Sequence, residues 1–495
     1  MKNKKKIRLF AVTFGLMVVL ACFTSQAFAL NDIIAEAPVG EMQIVLVGGS
    51  PENSNTSNKQ AVFSNGILHI TTGGRYVLSG KYEGQILIQA TRNDVVELVL
   101  DNVTLHNQNG PAIYAPRSRR VELILADGSI NTITDAKHQN DETNAVIYTQ
   151  HDLVISGNGI LNITGNFHHG IRSQDTLTIK SGVVNVRALG DALRGRDAVI
   201  IEGGTFSLSA GGDGIQSNND TNAERGYVTI NGGTFNINSG DDGIQAETSV
   251  TINNGRLTIA AKDDGITTNG SVLITGGNIS ITDSYEGIEG LNVTITGGDI
   301  DIFSRDDSIN AREHGAVTNV RGRLMTGRSV NANIYVRIKG GNIHIHALTD
   351  GIDSNNNVFI EGGMLHISGP SRGVEGAIDV DGSILITGGK LITAGSVMNI
   401  SEQSSQPTLL VTYSQQLPTG AFIEIRDASG NTLLDYTAKN AFLMSAFTSP
   451  DFVIGKTYSL YINREKVQDI SLNSIITTIG NSRFNRGFGG GRDRF

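Results

Sequence analysis

The chain has 495 residues, including 60 Gly, 8 Pro, one Cys and no Trp, and its formal net charge is −9. The glycine excess lacks a G-X-Y period and comes with little proline, which excludes collagen, and 39% hydrophobic residues exclude a disordered linker. Because an acidic chain repels nucleic acid and anionic membrane surfaces, we expect neither as a partner.

Residues 1–29 have the pattern of a secretory signal peptide: a basic start, an apolar run, and small residues at Ala27 and Ala29. We therefore predict a secreted, extracellular protein that begins near Leu30 and has no integral membrane segment once the signal is removed. The alternative is lipid attachment at Cys22. Removing this segment, which holds five basic residues and no acids, changes the net charge from −9 to −14.

The sequence repeats itself from about residue 150 to 400, in units such as VTINGGTFNINSGDDGIQAETS and VTINNGRLTIAAKDDGITTNGS. Each unit has two alternating segments around a Gly-Gly pair and a third that begins Asp-Gly-Ile. Successive apolar markers of the third segment are 22, 22, 29, 22, 22, 21, 43 and 22 residues apart. These markers are Ile171, Leu193, Ile215, Ile244, Ile266, Ile288, Ile309, Ile352 and Val374, and Ile113, Ile147 and Val397 extend the series less regularly.

Alternation with period 2 and a modal 22-residue repeat of three strands predict an all-β right-handed parallel β-helix of about 13 coils over residues 61–400. Residues 30–60 are a lead-in. Residues 401–480 contain conventional strand patterns and are predicted to form a small β cap that closes the open end. The Gly/Arg-rich tail 481–495 is predicted to be disordered.

Three extensions interrupt the repeat: 135–143, 218–226 and 312–330. All three fall at bends or after the third strand. Loops gathered in one region of a solenoid commonly border a binding face.

One repeat position carries a column of acids, often with a second acid beside it. The column is Asp191, Asp213, Asp242, Asp264, Glu286, Asp307 and Asp350. Like charges on stacked strands repel one another unless a cation lies between them, and oxygen-only clusters suit Ca²⁺. The alternative is that each Asp only caps its own bend. The metal-ligand candidates are Asp191, Asp197, Asp213, Asn218, Asp220, Asp242, Glu247 and Asp264, with Asp213 and Asp242 as the best pair.

Outward positions form further columns, which are basic in the N-terminal repeats and amide-rich or acidic later. Arginines beside Ca²⁺ could bind a sugar carboxylate with two hydrogen bonds each, although solvated surface charge is the simpler explanation. The carbohydrate-binding candidates are Arg172, Arg194, Arg196, Gln216 and Gln245. Zinc at His168/His169 or at the stacked pair His344/His366 is the weaker metal hypothesis, and no catalytic motif is present.

The ordered motifs from Asn144 onward (NAVIYTQHDLVISGNGILNITGNFHHGIRSQDTLTI, DALRGRDAVIIEGG, GGDGIQSNND, DDGIQAE) resemble a family of secreted, calcium-binding carbohydrate-binding proteins with a pectate-lyase-like right-handed parallel β-helix. The resemblance covers roughly residues 60–480. It implies bound Ca²⁺, binding of cellulose and polygalacturonate, and no established catalytic activity, with Asp191, Asp213, Asp220 and Asp242 as metal candidates. Arg196 stands where the family often has Lys, and the 312–330 insertion contains arginine.

We therefore predict a non-catalytic, monomeric polysaccharide-binding protein that depends on Ca²⁺ and favours acidic glycans, because the chain has no Trp for an aromatic platform. Two alternatives remain open. A polysaccharide lyase would need a base, for which Arg194, Arg196 or Lys262 are available. A structural cell-surface adhesin would bind a protein partner instead.

Overall fold

The computed structural model describes residues 41–47, 60–137, 141–313, 331–370 and 375–480. The predicted signal peptide, most of the lead-in, nearly all of the 312–330 insertion and the C-terminal tail lie outside these ranges. Within them the protein is all-β, and its single helical element is the one-turn 3₁₀ helix Asp141–Thr143. None of the chain that is described forms a helix long and apolar enough to cross a membrane.

The first two strands of each repeat belong to one large sheet. Its strands are Met42–Val47, Gly74–Glu83, Val95–Asn107, Arg120–Leu125, Ile130–Asp135, Asp152–Gly157, Ile160–Gly165, Thr176–Ile179, Val183–Ala188, Ala198–Ile201, Thr205–Ala210, Tyr227–Ile230, Thr234–Ser239, Ser249–Ile252, Arg256–Ala261, Ser271–Ile274, Asn278–Asp283, Asn292–Ile295, Asp299–Ser304, Tyr335–Ile338, Asn342–Ala347, Asn357–Ser368, Ile384–Ala394, Thr408–Leu417, Phe442–Thr448 and Ile476–Ile479.

The third strands form a second sheet, called here the short-strand sheet. Its strands are Ala61–Ser64, Ile67–Ile70, Gln85–Gln89, Ile113–Arg117, Ala145–Thr149, His169–Ser173, Leu193–Gly195, Ile215–Ser217, Ile244–Ala246, Ile266–Thr268, Ile288–Gly290, Ile309–Ala311, Ile352–Ser354 and Ile378–Val380. A third, antiparallel sheet near the C-terminus contains Phe422–Arg426, Thr432–Thr437, Thr457–Ile462 and Glu465–Ser471.

Each strand of a repeat pairs in parallel with the corresponding strand of the next repeat. Thr205–Ala210 pairs with Thr234–Ser239, and Ile215–Ser217 pairs with Ile244–Ala246. The sequence period is therefore the distance along the chain between paired strands. The prediction of an all-β protein with large sheets of parallel strands is confirmed, whereas the handedness and the number of coils stay predictions.

Alternate residues of every repeat point inward and stack on their counterparts. Val228, Val250 and Val272 are adjacent in register and all are fully buried. Phe206 and Phe235 stack with ring centroids 4.5 Å apart and an interplanar angle of 6°. One continuous apolar core results, in which each side chain is packed mainly by its neighbours in the adjacent repeats.

The Gly-Gly pairs mark the corner between the first and second strands. The second glycine has a positive φ, as at Gly233 (110°) and Gly277 (96°), a conformation that side chains other than glycine rarely adopt. The corner is absent where a single strand runs through it, as in Asn357–Ser368 and Ile384–Ala394, which join the two sets of strands into one sheet.

A different glycine, the one in Asp-Gly-Ile, is required for close packing. A Cβ on Gly243 would lie 2.5 Å from the Gly265 carbonyl oxygen and 2.4 Å from Ile259 Cγ2. We expect Gly243→Ala to lower the free energy of unfolding by about 1–3 kcal/mol, the usual cost of overpacking. Gly203→Ala is the matched control in urea denaturation, since its Cβ would meet its nearest neighbour at 3.4 Å. Equal midpoints for the two variants would contradict this expectation.

The predicted marker Val374 lies outside the described residues, and the structure places a different residue at the next position of its column. Ile378 pairs with Ile352, so the step between these repeats is 26 residues rather than the 22 expected. The adjoining segment, Gly369–Gly376, absorbs the difference before the strand begins.

The residues after about 400 have a second apolar core of their own, which includes Ile423, Phe442 and Leu460. The strand Phe442–Thr448 pairs antiparallel with Ile384–Ala394, the last long strand of the repeats. The predicted cap pattern therefore corresponds to strands that continue the large sheet while a separate antiparallel sheet packs beside them.

Three stacked rings join the last repeats to this C-terminal part. His366 stacks on His344 at 4.7 Å and on Tyr436 at 5.2 Å, and the Tyr436 hydroxyl hydrogen-bonds Ser368 at 2.8 Å. His366 Nδ1 has no hydrogen-bond partner. Burial, together with the neighbouring His344, lowers the pKa of His366 to about 4, although Asp435 acts in the opposite direction.

This lowered pKa predicts acid sensitivity. Between about pH 6.5 and 4 the unfolded chain binds a proton at His366 that the folded chain does not, so the free energy of unfolding falls as the pH falls through this window. His366→Phe keeps the stack and removes the titration, so its unfolding midpoint should fall less between pH 7 and pH 4.5. The control is His69→Phe in the first repeats. Parallel pH profiles for the wild type and His366→Phe would refute the assignment.

Candidate metal and carbohydrate site

One outward row crosses the whole short-strand sheet and changes chemistry along its length. It begins with two aromatic rings, continues with arginines and amides, and ends with acids. In order of register the row is Tyr114, Tyr148, Arg172, Arg194, Gln216, Gln245, Thr267, Glu289, Asn310, Asp353 and Asp379. The 22-residue spacing predicted most of this order, and the two tyrosines were not recognised, although each directly follows an apolar marker.

Beside this row lies the column of acids, and the structure gives it a backbone function. Asp191 Oδ1 accepts a hydrogen bond from the Asp213 amide at 3.1 Å, and Asp213 Oδ1 accepts one from the Asp242 amide at 3.0 Å. Asp242 and Asp264 continue the pattern at 2.9 and 3.2 Å. Each acid thus caps the bend of the following repeat rather than its own, and one carboxylate oxygen is left for other partners. We call this arrangement the carboxylate ladder.

Asp191 spends its second oxygen on basic side chains. Arg194 Nη1 and His169 Nδ1 both lie 3.1 Å from Asp191 Oδ2, and Arg194 also approaches His169 Nε2 at 3.2 Å. These contacts fit a neutral imidazole protonated at Nδ1. Burial opposes ionisation of Asp191, but the His169 hydrogen bond and the charges of His169 and Arg194 outweigh it and lower the pKa of Asp191.

Asp197 is held from two sides by the 218–226 extension. Asn219 Nδ2 donates to Asp197 Oδ1, and Arg225 Nη1 donates to Asp197 Oδ2. The side chain lines a cavity of about 350 Å³ together with Asp152, Asp175 and Tyr227. Asp197 is therefore paired internally and lies apart from the carboxylate ladder.

The next cluster has no such partners. Asp213, Asp241 and Asp242 bring carboxylate oxygens within 4.8 Å of one another, and no ion pair to any of them exists in the part of the chain that is described. We call these three residues the first acid cluster. Burial and the adjacent acids raise the pKa of Asp213 to about 7 and that of Asp242 to about 8.

Unpaired amide oxygens surround the first acid cluster. Gln216 Nε2 donates to Asp213 Oδ2, which leaves Gln216 Oε1 buried without a partner. Gln245 Oε1 and Asn218 Oδ1 are likewise buried and unpartnered. Of the other predicted ligands, Glu247 Oε1 accepts from Asn269 at 2.9 Å and Asp220 is exposed on the extension. Carboxylate and amide oxygens together are the donor set that Ca²⁺ prefers.

Two more acid clusters follow along the same face. The second acid cluster is Asp264, Glu286 and Glu289, all three buried, and the third is Asp350, Asp353 and Asp379. Sequence reasoning included Asp264 as a ligand but missed Glu289, whose signal was its place one residue after the marker Ile288. Throughout the described ranges, groups of three or more potential metal ligands contain carboxylates alone, so neither histidine pair gains a third ligand for zinc.

The predicted sugar-binding arginines also have partners within the protein. Arg172 Nη1 donates to Asn144 Oδ1 and its guanidinium lies over the Tyr148 ring, 5.5 Å from the centroid. Arg196 approaches Asp197 at 3.8 Å, and 39% of its side chain is exposed. Arg172 and Arg194 are adjacent in register, so both guanidinium groups lie beside the ladder's N-terminal end.

The fold and these rows define a repeat-built all-β protein with one long polar face, an architecture suited to extended ligands. The chain belongs to the carbohydrate-binding domain-containing protein family, whose sequence model matches residues 64–329 and 253–369.

Two relatives show where the similarity lies. A carbohydrate-binding domain-containing protein of Acetivibrio thermocellus is 37% identical over 128 residues, which are 24% of this chain and 45% of that protein. The chain thus spans less than half the length of this curated relative. A solved structure described as a polysaccharide lyase-like protein from C. thermocellum, gadolinium derivative, is 34% identical, covers 47% of this chain and 96% of that chain, and has a TM-score of 0.45.

Proposed function

We propose that this chain is a secreted, non-catalytic protein that binds acidic polysaccharides through Ca²⁺ held at the first acid cluster, on a right-handed parallel β-helix. The observation that carries the proposal is the concentration of unpaired oxygens there. Three carboxylates and the amide oxygens of Gln216 and Gln245 converge without any cationic partner among the described residues. A divalent cation would satisfy all of them at once.

The position of the cluster in the row favours an acidic sugar. Arg172 and Arg194 precede Gln216 by two repeats and one repeat, so a polymer lying along the row would meet guanidinium groups and the cation in sequence. Guanidinium groups bind carboxylates with directional, charge-assisted hydrogen bonds, and Ca²⁺ can share a sugar carboxylate with the protein. Polygalacturonate is the polymer that this arrangement suits, and cellulose, which has no carboxylate, is the weaker candidate.

The same geometry argues against a lyase. Arginine stays protonated in proteins, and both Arg194 and Arg196 face carboxylates that stabilise the charged form. Lys262 is exposed, two residues before the ladder residue Asp264. A site without a placed base binds its polymer and leaves it intact.

The direct test is calorimetric titration with polygalacturonate in Ca²⁺ and in EDTA, with ultraviolet absorbance of the mixture followed over time. We expect binding in Ca²⁺, its loss in EDTA, and no unsaturated product. Binding that survives EDTA would refute the bridging role of Ca²⁺, and rising absorbance would establish a lyase. N-terminal sequencing of the exported protein tests secretion and should begin near Leu30.

A further inference from the structure

We propose that Asp264, Glu286, Glu289 and Asn310 form a second divalent-cation site, which the Arg312 guanidinium and the cation occupy in turn. The inference extends the proposed function to a separate site and rests on that function only in the choice of Ca²⁺ as the probe.

The ligands are buried and crowded. Asp264, Glu286 and Glu289 are 8%, 4% and 4% exposed, and one carboxylate oxygen from each lies within 4.8 Å of the others. Three carboxylates held this close in a dry site cannot all stay ionised without positive charge. A single guanidinium offsets one of the three charges, whereas a divalent cation offsets two.

Asn310 supplies an independent sign of a missing ligand. Its side chain is 3% exposed and is directed into the cluster, because Nδ2 donates to Glu286 Oε2 at 3.1 Å. Its Oδ1 is buried and has no hydrogen-bond partner, which is costly for a polar atom. Rotation of the amide would exchange the two atoms and present Oδ1 to a cation among the carboxylates. The orphaned oxygen is thus explained by a site whose hard cation is the missing partner.

Arg312 has the features of a displaceable occupant. Its Nε and Nη2 donate to the two Glu289 oxygens at 2.8 and 2.7 Å, and Nη2 lies 3.7 Å from Glu286 Oε1. Yet 44% of the side chain is exposed, and Arg312 follows the strand Ile309–Ala311 rather than belonging to it. The guanidinium can therefore leave the cluster without disturbing the core. The first acid cluster has no comparable arginine among the described residues, so the two sites should respond differently to the same cation.

Calcium titration of the full chain by calorimetry tests the exchange. Arg312→Gln removes the competitor and should strengthen one Ca²⁺-binding event about tenfold, while Glu289→Gln should abolish that event. Arg312→Lys keeps the charge with a single point of contact and should have an intermediate effect. The matched control is Arg256→Gln, which changes an exposed arginine on the strand Arg256–Ala261.

The two sites can be separated in the same experiment. Asp213→Asn should remove the event at the first acid cluster and leave the Arg312-sensitive event in place. If Arg312→Gln leaves Ca²⁺ affinity and stoichiometry unchanged, or only lowers the thermal midpoint in EDTA, Arg312 is a permanent counter-ion and the inference is wrong. If the wild type and every variant bind no Ca²⁺, the proposed function fails together with it.

Discussion

Removal of Ca²⁺ should lower the unfolding temperature of the wild-type protein, and Asp213→Asn should lose most of this dependence. A ligand at a hundred times its dissociation constant stabilises the folded state by about 2.7 kcal/mol. The effect is large here because the first acid cluster has no internal cation, among the residues the structure describes, to replace the metal. Scanning calorimetry in Ca²⁺ and in EDTA measures the difference directly.

The substitution is chosen so that the fold tolerates it. The asparagine side chain in Asp213→Asn retains an Oδ1 that can accept the Asp242 amide, and Gln216 can turn its amide to offer Oε1 to the new Nδ2. In EDTA the variant should therefore match or exceed the wild type, because a buried carboxylate among acids has been neutralised. Asp301→Asn, on the exposed face of Asp299–Ser304, is the control and should keep the full Ca²⁺ response. Destabilisation of Asp213→Asn in both conditions would point to a structural role alone.

Arg194→Ala should weaken polygalacturonate binding in Ca²⁺ by about 10- to 100-fold, the equivalent of roughly 1.5–3 kcal/mol for a hydrogen bond to a charged group. The guanidinium lies beside the ladder, and 18% of its side chain is exposed. Arg194→Lys should give a smaller loss because it keeps the charge but not the paired donors. Isothermal titration with the polymer and with a neutral glucan separates charge recognition from general sugar binding.

Two results would count against this role for Arg194. One is an equal loss of affinity for the neutral glucan, which would indicate that Asp191 had been disturbed through its lost partner. The other is an equal effect of Arg256→Ala, which removes an exposed arginine from the large sheet. Binding of Ca²⁺ itself should be unchanged by Arg194→Ala.

The repeating part of the fold was accessible from sequence because each strand pairs with a strand at a nearly constant distance along the chain. The markers from Ile171 to Ile352 and the residues one position after them therefore fell into the correct rows. The error at Val374 has a physical cause, since a longer bend precedes that strand. The motif Ala377-Ile378-Asp379, which matches Gly351-Ile352-Asp353, was the available signal.

The candidate site was predicted less completely, because its partners come from loops. The pairing of Asp197 with Arg225, and of Glu289 with Arg312, depends on how extensions of irregular length fold back over the strands. Unpaired amide oxygens cannot be predicted from a pattern, because they depend on which atom of each side chain is already bonded. The distinction between acid clusters with and without a cation therefore required the structure.

The carboxylate ladder is insensitive to distance along the chain. Its rungs join residues 22 apart at Asp191–Asp213, 29 apart at Asp213–Asp242 and 43 apart at Asp307–Asp350, with the same amide-to-oxygen bond each time. Chain length can consequently vary between rungs while every bend keeps its acceptor. Evolution can then lengthen or recompose the loops that overhang the polar face without dismantling the frame, so the loops are where ligand preference can diverge among proteins built on the same repeats.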